Sequence, residues 1–246
     1  MNWALTLWAV MIGMGMAWAQ DTHSIRSDRP AQMTGPWVIG QDRFQVEWGV
    51  ARSVQEYATS SGRSDMSDVS LRWSPAEKWE LRGAYAGARY VGELGGVDSR
   101  SFNSDVILGF RYQLVEAPQH LFSLQADGIM TLRNDQSFFG GKVWALYSFV
   151  PMEWVSLNAY LNTYITDFNL EGVVNATFQV QPQLSLYGET KYFFFSGLRF
   201  QNVGGGLAWL ASPMFQFDLH ITSDFLPASA TQNWTLGGGV AYAIQY

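Results

Sequence analysis

The sequence predicts an all-β fold: a transmembrane antiparallel β-barrel of about twelve strands, with short periplasmic turns and longer extracellular loops. Three observations predict it. Hydrophobicity alternates residue by residue, connections alternate between tight proline turns and longer polar stretches, and the composition is too poor in charge for a water-facing surface. Charged residues are 15% of the 246, where a soluble domain carries about 25%, and aromatic residues also reach 15%. A soluble β-sandwich alternates too, but it keeps a charged outer face, and the polar faces here are too small to cover a protein of this size.

Composition also excludes several function classes. A formal charge of −6 argues against a nucleic-acid binder, which needs clustered Lys and Arg on one face. The chain contains no Cys, so there is no disulfide framework, thiolate metal site, cysteine nucleophile or acylated lipoprotein cysteine.

Taken in order, residues 3–18 form one apolar run that ends in Ala17-Trp18-Ala19. This reads as a signal peptide over residues 1–19, cleaved before Gln20, in a chain exported to the outer membrane of a Gram-negative-type cell. Its n-region has only the amino terminus as positive charge, which keeps an uncleaved anchor as the alternative. No later stretch reaches the roughly 18 uninterrupted apolar residues of a membrane helix. Residues 20–42 form a leader with Asp28, Arg29 and Pro30 at its centre. It either hangs in the periplasm or folds into the lumen, where Arg29 meeting lumen carboxylates would make a charge-assisted plug.

The barrel is expected over 43–246. Phe44, Val46, Trp48 and Val50 interleave with Gln45, Glu47, Gly49 and Ala51, which is a strand with one apolar and one polar face. The same period returns in segments beginning near Asp68, Lys78, Ser104, Leu121, Phe138, Trp154, Phe168, Gln183, Gln201, Met214 and Asn233. Each has the roughly 10 residues that a tilted strand needs to cross a bilayer. Pro75, Pro118, Pro151, Pro182 and Pro213 mark the tight turns. Polar stretches over 53–67 and 91–103, with shorter ones near Asn134, Asp167, Ser196 and Pro227, read as the loops of the opposite side. Trp73, Trp79, Tyr147, Phe149, Trp154, Trp209 and Phe215 crowd the turns, as an interfacial girdle requires. At the end of the sequence Val240, Tyr242, Ile244 and Tyr246 alternate up to an aromatic residue. Tyr242, Ile244 and Tyr246 are therefore a candidate signal for the barrel assembly machinery, or simply the strand that pairs with the first.

Ser27-Asp28-Arg29-Pro30, followed by Gly40 and Arg43-Phe44-Gln45-Val46-Glu47-Trp48-Gly49, resembles the MetA-pathway of phenol degradation family. In that family a Thr/Ser-Asp-Arg-Pro stretch precedes a first strand reading Gly-x-Phe-Gln-aliphatic-Glu-x-Gly. The likeness continues through Leu71-Arg72-Trp73, Trp79-Glu80-Leu81-Arg82-Gly83 and Gly109-Phe110-Arg111-Tyr112-Gln113-Leu114. Asp42, where the family favours Gly, and the bulky Trp48 depart from the pattern. The resemblance implies an outer-membrane transport barrel and a pathway association, with no ligand attached.

With apolar positions facing lipid, the lumen receives Glu47, Arg72, Glu80, Arg82, Asp105, Arg111, Gln125, Asp127, Lys142, Asn158, Asn162, Glu171, Asn175, Glu189, Lys191, Asp218 and His220. Charges of both signs predict ladders of ion pairs, with Glu189 and Lys191 sharing one face. Trp144, Tyr160, Tyr164, Tyr187 and Phe193 fall on the same parity, as stacking surfaces for an aromatic or sugar-like solute or as space-filling rings. Trp144, Tyr160, Tyr164, Tyr187, Glu189, Lys191, Arg82, Arg111 and Asp218 are thus the candidate substrate path.

The reading is an outer-membrane channel or transporter for small solutes, hydrophobic or aromatic ones being candidates, rather than an enzyme. Its partners are outer-membrane lipid, the assembly machinery and a small-molecule solute, with no nucleic acid, metal or cofactor. The alternatives are a plugged, non-conducting barrel with a structural or partner-binding role, and a lipid-modifying enzyme. For the last, His220-Ile221-Thr222 offers Thr where a Ser nucleophile is wanted, on lumen parity. No Walker loop or dinucleotide fingerprint occurs, and Gly204-Gly205-Gly206 and Gly237-Gly238-Gly239 fall in strands, where Gly relieves crowding.

Overall fold

The computed structural model describes residues 25, 27–28, 34–57, 60–94, 97–133, 136–165, 169–195, 198–225 and 232–245. The expected signal peptide, Arg29, Pro30 and Tyr246 lie outside them. Twelve strands follow one another: β1 (Arg43–Tyr57), β2 (Ser60–Ala76), β3 (Trp79–Leu94), β4 (Val97–Ala117), β5 (His120–Arg133) and β6 (Gln136–Met152). The second half is β7 (Val155–Tyr164), β8 (Leu170–Gln181), β9 (Leu184–Phe195), β10 (Leu198–Ser212), β11 (Phe215–Phe225) and β12 (Gln232–Gln245). Each pairs antiparallel with its neighbours in sequence, and β12 returns to β1 to close the barrel. The seam runs from Arg43 opposite Gln245 to Glu56 opposite Gln232.

Alternation places the side chains as expected for a wall between lipid and lumen. Leu157, Phe178, Leu186 and Leu219 point outward and are exposed, whereas Asn158, Glu189 and Asp218 are buried inside and Gln179 is partly covered. An outer surface carrying this many exposed large apolar side chains cannot be left in water, so the wall is built for a bilayer. Near the tight turns Trp79 packs at a tilt against Tyr112 at 4.6 Å, and Trp209 stacks with Phe217 at 5.7 Å between ring centroids. These aromatic pairs form part of the expected girdle.

Strand starts agree with the alternation to within three residues, except for β2 and β4, which begin eight and seven residues before the expected Asp68 and Ser104. The polar stretches 53–67 and 91–103 are therefore mostly strand rather than loop. On that side the widest separations in sequence between successive strands run from Tyr164 to Leu170 and from Phe225 to Gln232. Above the lipid no apolar face is required, so the backbone ladder continues while the alternation disappears. Ion pairs then take the outer surface, where Arg52 and Arg63 reach Asp65 at 2.6 and 3.3 Å. The wall is uneven in height as a result. At about 3.4 Å per residue and about 40° of tilt, the 21 residues of β4 rise about 55 Å, while the 10 of β7 rise about 26 Å, close to the apolar band alone.

The chain enters β1 through a bend in which Gly40 and Asp42 both have positive φ, 89° and 58°. Asp is among the few non-glycine residues that tolerate this region, which reconciles Asp42 with a position where glycine is favoured. The bend is tied to the β2 end by the Asp42 amide donating to the Ser74 carbonyl at 3.1 Å.

Candidate functional site

Alternation sends polar residues of β1 to β4 into the barrel, and there they meet the described part of the leader. Arg72 is fully buried; its guanidinium donates to Glu80 through Nε (3.0 Å) and Nη2 (2.9 Å), and to Glu47 through Nη1 (3.1 Å). Arg82 reaches Glu80 at 2.7 Å, and Arg111 donates to Gln125 at 2.8 and 3.0 Å. Into this network comes the carboxylate of Asp28, 2.6 Å from Arg82, 3.1 Å from Arg111 and 3.6 Å from Arg72. Thr34 and the Gly35 amide also donate to it, at 2.7 and 3.1 Å. The leader backbone is held as well. The Trp37 carbonyl accepts from Arg111 (2.7 Å) and Arg72 (3.1 Å), the Ile39 amide donates to Glu80 (3.0 Å), and Ser123 donates to the Pro36 carbonyl.

Burial alone would push the Asp28 carboxyl up, but Arg111, Arg72 and Arg82 together hold it well below the ordinary carboxylate range. The described part of the leader thus meets lumen charge through an acid among arginines; Arg29, expected to meet lumen carboxylates, lies outside the described residues. At its other end Ile25 is buried against Ala241 and Ala243 of β12, and its amide donates to the Pro213 carbonyl at the β10–β11 turn (2.7 Å).

A second cluster lies on β5 to β9. Glu171 accepts from the Tyr160 hydroxyl (2.7 Å) and Asn162 (3.0 Å), and pairs with Lys191 (3.2 Å) and Lys142 (3.8 Å). The Lys142 ammonium sits 4.4 Å from the Trp144 ring centroid and 4.5 Å from that of Tyr164, and Lys191 sits 4.4 Å from that of Phe193. Lys191 thus pairs with an acid on the neighbouring strand, and Glu189, two positions before it on β9, shares its inward face. Trp144 packs edge-on to Tyr160 at 5.0 Å. Behind them Leu146, Tyr160 and Val173 make a buried apolar cluster inside the barrel. Leu146 and Val173 were missed in the sequence, although Leu146 shares parity with Lys142 and Trp144, and Val173 with Glu171 and Asn175.

The third part of the interior, β9 to β12 and β1, is built from small residues. One inward row runs Tyr187, Gly206, His220, Gly237 and Ala51 across five paired strands. The next runs Ser185, Ala208, Asp218, Gly239 and Gly49. A Cβ on Gly206 would lie 2.2 Å from the Leu219 carbonyl and 2.7 Å from the Tyr187 hydroxyl, and one on Gly237 would lie 2.4 Å from the His220 ring. Tyr187 and His220 can lie along the wall because these positions carry no side chain. Thr222, two residues after His220, is also buried on the inward face. Among the described residues no group of His, Asp and Glu has metal-binding geometry.

The candidate path residues thus fall in three places. Arg82 and Arg111 hold the leader, Trp144, Tyr160, Tyr164 and Lys191 surround Glu171, and Tyr187, Glu189 and Asp218 lie on or beside the small-residue wall. Of the proposed assembly residues, Tyr242 and Ile244 face outward at the seam, opposite Val46 and Phe44.

No family model matches the sequence, and no curated protein matches it. Solved structures do. The COG4313 outer membrane channel from Pseudomonas putida F1 aligns with a TM-score of 0.65 at 10% identity, over 87% of this chain and all of that one. The translocator domain of the autotransporter NalP from Neisseria meningitidis aligns at 0.57 and 12% identity, over 97% and 96% of the two chains. The deltaS2 mutant of the monoaromatic hydrocarbon channel TodX aligns at 0.55 and 7% identity, over 84% and 91%. At such identities the likeness establishes the fold: this chain is an outer-membrane-type antiparallel barrel of twelve strands.

Proposed function

We propose that this chain is an outer-membrane channel or transporter for small solutes, exported through a cleaved signal peptide over residues 1–19. In this reading residues 20–42 are a lumen plug and 43–246 the barrel. One observation carries it: the interior is lopsided. Long charged side chains and most of the described leader line β1 to β4, whereas β9 to β12 set Gly206, Ala208, Gly237 and Gly239 between Tyr187, Asp218 and His220, and the space these small residues leave is read as the lane for solute. Channels such as the Pseudomonas protein and TodX share the fold, which supports the reading, while the NalP translocator domain shows that the fold alone does not decide the task.

Among small solutes, those with an aromatic body fit best, because Trp144, Tyr164 and Tyr187 offer rings beside fixed charge. Flux through purified protein in liposomes tests the function, with aromatic and polar solutes of equal size compared in wild type and Tyr187→Ala. A loss confined to aromatic solutes is expected, and absence of any flux in wild type would overturn the channel reading. The second reading, a barrel that stays closed, is favoured by the three arginines on Asp28. Single-channel recording separates the two. Lipid and the barrel assembly machinery are the proposed partners, the latter through Tyr242, Ile244 and Tyr246. Deleting 244–246 should block membrane insertion while export continues, as fractionation of cell envelopes would show.

A further inference from the structure

The Asp28 seat is more than an ion pair, because of how its charges add. Arg72, Arg82 and Arg111 contribute three positive charges, and the two acids in contact with them on the barrel wall, Glu47 and Glu80, contribute two negative ones. Over these five described residues the sum is +1, and the Asp28 carboxylate brings it to zero. A buried charge without a partner is strongly unfavourable, so a leader that moves aside leaves a net-cationic seat that favours another anion. The seat's geometry selects the kind. One carboxylate oxygen receives Arg82 (2.6 Å), Arg111 (3.1 Å) and Thr34 (2.7 Å), while the other faces Arg72 (3.6 Å) and the Gly35 amide (3.1 Å). Guanidinium groups are donors whose planar forks match a carboxylate, and the three that remain after the leader withdraws belong to three adjacent strands, fixed by Glu47, Glu80 and Gln125.

We infer that Arg72, Arg82 and Arg111 form a binding site for a small monocarboxylate solute, and that Asp28 is its built-in occupant, so that such a solute opens the lumen by displacing the leader. The inference rests on the proposed plug and deepens the channel reading by naming the class of solute. It places the site on the turn side of the lumen. The balance of charge is the reason for a monoanion: a dianion would carry the cluster to −1 and leave charge unmatched in the opposite sense.

The absence of native cysteine makes displacement directly measurable. Val38 is buried in the leader, so Val38→Cys in the full chain reports leader withdrawal through its rate of maleimide labelling at neutral pH. The probes are sodium acetate and sodium benzoate, against chloride and phosphate at equal ionic strength. Carboxylate should raise the labelling rate at least about threefold over chloride, since a ligand shifts the docked state only by its differential affinity for the open one. Asp28→Asn should raise the basal rate and flatten the response. Arg82→Lys, which keeps the charge and loses the fork, should weaken the carboxylate response while the barrel still migrates as folded in detergent gels. Equal labelling in carboxylate and chloride overturns the inference, as does an equal response to phosphate. Flux measured in the same liposomes keeps the two proposals apart. Labelling that responds to carboxylate without flux removes the channel and keeps the site, and flux with labelling indifferent to carboxylate does the reverse.

Discussion

The two halves of the interior solve the same problem, filling a closed sheet, in opposite ways. Strands β1 to β5 bury Arg72, Glu80, Arg111 and Gln125 and add a segment of the leader over them. Strands β9 to β12 bury Tyr187, Glu189, Asn202, Asp218 and Thr222, and set glycine and alanine between them. The outer surfaces are alike in both halves, with apolar side chains on alternate positions. What differs is that the first wall is stabilised by a connected network of charge and the second by close approach of backbone and ring. The first is costly to disturb by truncation, the second by addition.

The largest effect should come from truncation in the charged half. Arg72→Met removes a guanidinium that satisfies Glu47 and Glu80 together and leaves both acids buried. Breaking such a group should cost about 3–5 kcal/mol, whereas Asn202→Ala, which removes one bond to Asp224 in the other half, should cost about 1–3. Urea unfolding in detergent, followed by gel mobility, measures both, and equal costs would erase the contrast between the walls.

Next are substitutions on the surface the halves share. Leu157→Arg in β7 and Leu219→Arg in β11 each place a charge against lipid and should cost about 2–4 kcal/mol at the bilayer midplane. The inward Asn158→Arg should cost less. The same unfolding assay reads this series, and a large difference between Leu157 and Leu219 would mean that the outer faces are not equivalent after all.

Addition tests the small-residue half. Gly237→Leu puts a side chain where the His220 ring and the Ala51 methyl already lie within 3 Å of a Cβ position. Overpacking of this kind should cost about 1–3 kcal/mol and narrow the lane, so flux should fall even where folding is retained. Unchanged flux in a folded variant would show that solutes do not pass along this wall.

How far the interior could be read from the sequence also differs by half. Period-two alternation identified nearly every strand and which residues face inward, because lipid on one side and water on the other impose opposite chemistry on successive residues. That logic stops where lipid stops, which is why 60–67 and 97–103 read as loop in the sequence although they pair as strand. Within the lumen, parity puts Arg82, Arg111, Lys191 and Glu189 on the inner face but does not give their cross-strand partners. That Lys191 reaches Glu171 depends on register between strands, and register is not a local property of either segment. Asp28 was visible only as part of a motif. Its arginines lie 44, 54 and 83 residues further along the sequence, at 72, 82 and 111, and only closure of the barrel brings them together.

The smallest expected effect is none at all, and it bears on how the leader is held. The Asp28 carboxyl is held well below the ordinary carboxylate range by Arg111, Arg72 and Arg82. A carboxylate depressed in the folded state contributes stability that is fully present above its unfolded pKa of about 3.9 and is lost only as pH falls through the lower, folded value. The arginines keep their protons throughout. Acidification from about pH 7 to about pH 5 should therefore leave the leader docked, and wild-type conductance in planar bilayers unchanged across that range. Asp28→Asn removes the charge that the arginines hold, so its conductance should exceed that of wild type at both ends of the range. A wild-type channel that opens progressively towards pH 5 would show that a group of ordinary acidity, and not Asp28, fastens the leader to the charged half.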